Sequence, residues 1–116
     1  MADETPRGGR VRRIGLNEAV FRAVNEEIEA LSERFALSGD ALDLICECGD
    51  AACAERIRIP HGAYVALRAD ARTFAVVPGH EIADVEEIVR RGEGYHFVRK
   101  RDGEPAAVAE ATDPRT

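Results

Sequence analysis

Three cysteines fall within eight residues, in the run Ile45-Cys46-Glu47-Cys48-Gly49-Asp50-Ala51-Ala52-Cys53, and the 116-residue chain has no others. No other feature constrains the fold as much, because three thiols brought to one place call for a common partner. Cys46 and Cys48 are one residue apart at the end of a short apolar run, Leu42 to Ile45, so in extended backbone both side chains leave on the same face. Gly49-Asp50 is turn chemistry that brings Cys53 back toward them. A structural zinc ion takes four tetrahedral ligands, drawn from thiolates and imidazoles. Three thiols leave one place, and the histidines are His61, His80 and His96.

His80 is the first choice for the fourth ligand. It ends the Pro78-Gly79-His80 turn after an apolar run, Thr73 to Val77, and would share an end with Cys46 if the two strands lie side by side in parallel. His61 is the alternative, since it follows directly on the strand that leaves the knuckle. His96 falls inside an expected hairpin and fits worst. Asp50 is a candidate second partner, orienting an imidazole from behind. The odd number of thiols and a cytoplasmic setting both favour metal or redox chemistry over disulfides. The flanking acids Glu47, Asp50 and Glu55 would raise a thiol pKa and disfavour a reactive nucleophile, a penalty that a bound zinc ion reverses.

The rest of the chain gives such an ion something to stabilise. Aliphatic residues must build the core, because aromatics are only 5% of the chain and Trp is absent. Small domains bury a limited fraction of their surface and often gain from a metal. Asn17 is a good helix N-cap. From Glu18 to Phe35, Val20, Phe21, Val24, Ile28, Leu31 and Phe35 recur at helical spacing, which predicts one apolar stripe facing the core. Leu37-Ser38-Gly39-Asp40 would end that helix. Arg56-Ile57-Arg58-Ile59 alternates as a half-buried strand, and Pro60 opens a short helix over 61–69. Thr73 to Val77 reads as a buried strand. Val85 to Arg91 and Tyr95 to Lys100 read as a hairpin around Gly92-Glu93-Gly94, with a helix over 84–91 as the competing reading.

The ends read differently. Residues 1–13 hold Gly8-Gly9 and four arginines and are expected to be a flexible basic arm. Residues 102–116, rich in Ala, Pro, Glu and Asp, are expected to be a disordered acidic tail. The net charge of −6 disfavours binding to a phosphate backbone. Against that, Arg10, Arg12 and Arg13 of the arm and Arg90, Arg91, Arg99 and Lys100 of the hairpin are the candidate nucleic-acid contacts. No apolar run is long enough to cross a membrane and the first residues lack a signal-peptide core, so the expected location is the cytoplasm.

Enzyme signatures are sparse. Glu81, beside His80, is the one carboxylate placed to serve an open zinc site. The deaminase order of ligands, a nucleophile elbow, a phosphate loop and a metalloprotease helix motif are all missing. Catalysis is therefore disfavoured.

Two stretches carry a resemblance: the cysteine run continued through Glu55-Arg56-Ile57, and Tyr64, Arg68-Ala69-Asp70 and Phe74-x-Val76-x-Pro78-Gly79-His80-Glu81. Together they resemble a group of small actinobacterial proteins of no established function. Those proteins begin with a similar Asn-Glu-Ala-x-Phe-Arg-x-Val-Asn-Glu helix, matched by Asn17 to Glu26. The resemblance covers residues 17 to about 100. It implies that the cysteine run and the Pro-Gly-His-Glu turn belong to one pattern, which favours His80 over His61.

The expected molecule is thus an α+β domain over residues 14–101, with a long amphipathic helix packed on a small sheet bearing a zinc knuckle. The expected role is regulatory or protein-binding rather than enzymatic, with the helix of residues 18–35 as the surface for an unknown protein partner. A nucleic-acid accessory protein and a thiol redox sensor are the alternatives.

Overall fold

The computed structural model describes residues 6–35 and 41–115. In chain order the elements are α1 (Pro6–Phe35), β1 (Ala41–Ile45), β2 (Arg56–Pro60), α2 (His61–Arg68), β3 (Thr73–Val76), β4 (Glu86–Arg91), β5 (His96–Lys100) and α3 (Glu104–Ala111). The fold is α+β, as expected, but the strands form two sheets. β1 and β2 make an antiparallel pair, and β3, β5 and β4 make an antiparallel three-stranded sheet in that order.

Local sequence explains the strands. β2 alternates strictly, with Ile57 and Ile59 buried opposite Leu44 and Leu42 of β1. All four residues of β3 are buried, which suits a run of Thr, Phe, Ala and Val. The β4–β5 hairpin forms, with a register shift between Ile88 and Arg90, so the competing helix over 84–91 is not found. Its loop needs Gly92, because a Cβ there would come within 2.1 Å of the Tyr95 ring.

Four expectations need correction. β1 and β3 are not paired strands. The chain leaving β1 passes beside β3 instead, with Glu47 N donating to Ala75 O at 2.8 Å. Asn17 does not cap a helix. α1 begins at Pro6, a residue suited to the first helical turn, and runs through Gly8 and Gly9 despite the roughly 1 kcal/mol each glycine costs. Asn17 lies mid-helix and donates its side-chain amide to Gly49 O at 2.9 Å. Residues 104–111 are helical where a disordered tail was expected. α3 holds because Ala106 and Ala109 are buried and the Arg22 guanidinium donates to Ala109 O and to Thr112 Oγ1, both at 2.9 Å. The expected stop at residues 37–40 lies outside the described residues.

The fourth correction is the facing of α1. Its buried face is Ile14, Glu18, Arg22, Asn25 and Glu29, whereas Leu16, Val20, Val24 and Leu31 are exposed. The polar residues turn inward because each has a distant partner. Glu18 and Glu86 hold Lys100 between them, each at 2.8 Å and all three buried. Burial pushes the Glu18 carboxyl up to about 8. Arg22 also donates to Ala71 O at 2.7 Å and lies over the Phe74 ring. Asn25 clasps the end of β1, donating to Ile45 O and accepting from Ile45 N. The apolar core lies elsewhere, between the β1–β2 pair, α2 and the three-stranded sheet, with Leu42, Leu44, Ile59, Tyr64, Leu67 and Phe97 as its centre.

Candidate metal centre

The chain between β1 and β2 supplies three sulfurs. Asp50 shapes it, accepting from Ala52 N at 2.9 Å through its side chain and from Cys53 N at 3.0 Å through its carbonyl. Cys53 is thereby turned back on Cys46 and Cys48, which are buried. The knuckle is pressed against α1, since a Cβ at Gly49 would meet Ile14 at 2.6 Å.

The fourth group comes from the turn after β3. His80 N donates to Val77 O at 2.9 Å, and Gly79, at φ 97°, supplies the left-handed residue that the turn requires. Glu81 locks this turn, accepting from Gly79 N at 2.7 Å and pairing with His96 Nδ1 at 2.9 Å. His80 Nδ1 then lies 3.5 Å from Cys46 Sγ and 3.7 Å from Cys53 Sγ. The candidate ligand atoms of Cys46, Cys48, Cys53 and His80 all lie within 4.8 Å of one another. An ion ~2.3 Å from sulfur and ~2.0 Å from nitrogen, with tetrahedral angles, requires a sulfur–nitrogen separation of about 3.5 Å. The three thiols are free, with no disulfide. These four residues are positioned to bind a metal ion.

The chain matches no family model, no curated protein and no solved structure. The chemistry of the site therefore rests on its own geometry.

The electrostatics suit a cation. Cys48 is held down to about 5, first by a hydrogen bond from Cys46, against burial, and further by Asp50 N, His80 and Cys53. Cys46 is pushed up by its bond to Cys48 and by burial, and Cys53 is pushed up by burial first. Cys46 and Cys53 thus keep protons that a bound cation would displace, while Cys48 offers a thiolate. Each sulfur also has a backbone N–H directed at it: Val77 N for Cys46, at 3.2 Å, Asp50 N for Cys48 and Glu55 N for Cys53. Such donors favour thiolates.

The remaining candidates lie elsewhere. His61 sits between Glu29 and Glu33, with Nε2 at 3.1 and 3.7 Å, away from the thiols. Asp50 serves the turn, and the carboxylate facing the His80 ring is Glu55, whose oxygen lies 3.3 Å from Nε2. Glu47, expected beside the sulfurs, is fully buried on the opposite side and pairs with Arg68. Of the candidate phosphate contacts, Lys100 is buried between two carboxylates and has no surface to offer. Arg10 pairs with Asp84, and Arg99 with Asp70. Arg12, Arg13, Arg90 and Arg91 are exposed.

Glu55 escaped the sequence reading as a histidine partner, although a carboxylate two residues past Cys53 was the available signal. An imidazole that ligates through one nitrogen usually offers the other to such an acceptor. Glu55→Ala is expected to weaken metal binding roughly tenfold, the low end for such partners because this carboxylate is largely exposed. Competition with a chromogenic chelator measures it. Unchanged affinity would mean that Glu55 does not orient the ring.

Proposed function

We propose that this protein is a zinc-binding domain whose ion is structural, and that it acts as a non-enzymatic interaction module through the outer face of α1. The observation that carries this reading is that three sulfurs and one nitrogen, four protein ligands, lie within 4.8 Å of one another, with two sulfur–nitrogen separations of 3.5 and 3.7 Å that suit a tetrahedral ion. Catalytic zinc keeps a position open, whereas structural zinc is closed. The cleft beside the site, lined by Cys48, Gly49, Asp50, His80 and Ile82, measures about 210 Å³. That is below the ~300 Å³ at which small-molecule sites usually begin. Glu81 is engaged by Gly79 and His96, which argues against its serving as a general base on a metal-bound water.

Elemental analysis of protein never exposed to chelator tests the reading. One zinc per chain is expected in the wild type and in His61→Ala, with less than stoichiometric zinc in His80→Ala. Metal-free wild type would overturn it. Equal retention in the two variants would remove His80 from the ligand set. Iron in the same ligands would appear in the same measurement and would correct the ion, since thiolate-rich sites accept both.

A further inference from the structure

The outer face of α1 carries apolar side chains where a solvated helix would carry charge. Val20 is 60% exposed, Leu31 46%, Leu16 43% and Val24 41%. On a helix of 3.6 residues per turn, Arg13, Leu16, Val20, Val24, Glu27 and Leu31 fall in one straight stripe, with Gly9 at its head. This stripe lies opposite the buried Glu18, Arg22 and Glu29. A continuous apolar face of this kind marks a contact surface.

The charges on α1 say what covers it. On this face Arg13 lies in the first turns, with Arg12 exposed beside it and no acid there, and Glu27 lies in the second half, while Glu26 and Glu29 turn inward to Arg115. The helix dipole disfavours this order, since anions are stabilised near the N-terminus and cations near the C-terminus. The same order is favourable for two copies of the helix laid antiparallel, where the exposed arginine of each stripe meets the exposed glutamate of the other.

We propose that α1 pairs with α1 of a second copy of this chain, antiparallel, about a two-fold axis at Val20. The proposal rests on the interaction role assigned above to this face and names its partner. In this register Val20 meets its own copy, Leu16 meets Val24, Arg13 meets Glu27, and Leu31 meets the open surface at Gly9. Every apolar residue of the stripe finds an apolar or glycine position, and every charge finds its opposite. The seam from Gly9 to Leu31 spans about 33 Å at 1.5 Å per residue. Beside Leu16, a groove of about 280 Å³ walled by Ala107, Val108 and Ala111 of α3 offers a socket where the second copy's Val24 arrives. The pairing is self-complementary, as a two-fold interface must be.

Sedimentation of the zinc-loaded full chain tests it. The wild type is expected at twice 12.7 kDa at micromolar concentration. Val20→Asp sets two carboxylates face to face at the axis and is expected to raise the dissociation constant more than ~100-fold. Zinc content and helical signal serve as folding controls. Arg13→Glu and Glu27→Arg are each expected to weaken the dimer roughly tenfold, from two rim pairs per dimer, and together to restore it. A dimer indifferent to Val20→Asp, or charge swaps that fail to rescue each other, would overturn the antiparallel register. A zinc-loaded wild type that stays monomeric would overturn self-pairing while leaving the face to a different protein. Loss of zinc in the wild type would instead count against the domain reading itself.

Discussion

Removing the ion with a chelator is expected to unfold this protein rather than to empty a site on a standing scaffold. The reason lies in which elements the four ligands join. Cys46, Cys48 and Cys53 belong to the connection within the β1–β2 pair, while His80 follows β3 in the three-stranded sheet. The ion would therefore tie one sheet to the other and, through Gly49, hold the knuckle under Ile14 and Asn17 of α1. Structural zinc sites contribute about 10–16 kcal/mol of apparent binding energy at neutral pH. A domain of this size has a net stability of only about 5–15 kcal/mol. The metal term is as large as the whole, so metal-free protein should lose its dispersed amide spectrum at 25 °C and regain it when zinc is returned. Cys48→Ala should behave as the chelated wild type does, even in excess zinc, because Cys48 is buried and holds the most acidic of the three thiols. A native spectrum and an unchanged melting temperature without metal would defeat the expectation.

How much of this was legible in the sequence depended on the range of the interaction. The cysteine run, the Pro78-Gly79-His80 turn, the alternation of Arg56 to Ile59 and the Gly92-Glu93-Gly94 hairpin loop are local patterns, and each stands in the structure where the sequence puts it. The inward face of α1 was misread because periodicity assumes that apolar residues point inward. Here Glu18 meets Lys100 across 82 residues and Arg22 meets Ala109 across 87, and no local window contains such partners. α3 was missed for the same reason. Its composition is that of a solvated tail, and it is held by Arg22, a residue whose destination only the fold reveals. The seat of Glu47 was hidden too, because its neighbours in sequence are the thiols while its partners lie in three other elements.

That residue supports the second large expectation. Glu47 stands between two of the candidate ligands and is fully buried, and its carboxylate receives four hydrogen bonds. Asn25 of α1 donates to it at 2.7 Å, Arg68 of α2 at 2.7 and 3.0 Å, and Ala75 N of β3 at 3.0 Å. One side chain thus fixes a helix, a second helix and a strand to the segment that carries Cys46 and Cys48. Burial works against the charge of Arg68, and Glu47 more than offsets it, holding the guanidinium pKa above its ordinary value. Glu47→Ala would leave that cation in the core without a counterion, a loss of about 3–5 kcal/mol. Asn25 and Ala75 N would each lose an acceptor as well, at about 1–3 kcal/mol for a buried group left unpaired. Thermal melts in saturating zinc should show a fall of about 20 °C or more, separable from ligand loss because the sulfurs and His80 are untouched. Replacing both partners removes the stranded charge along with the pair, so Glu47→Leu combined with Arg68→Met should melt well above Glu47→Ala alone. If the effects at the two positions simply add, the carboxylate and the guanidinium are not coupled, and the cysteine segment owes its position to the metal and the backbone instead.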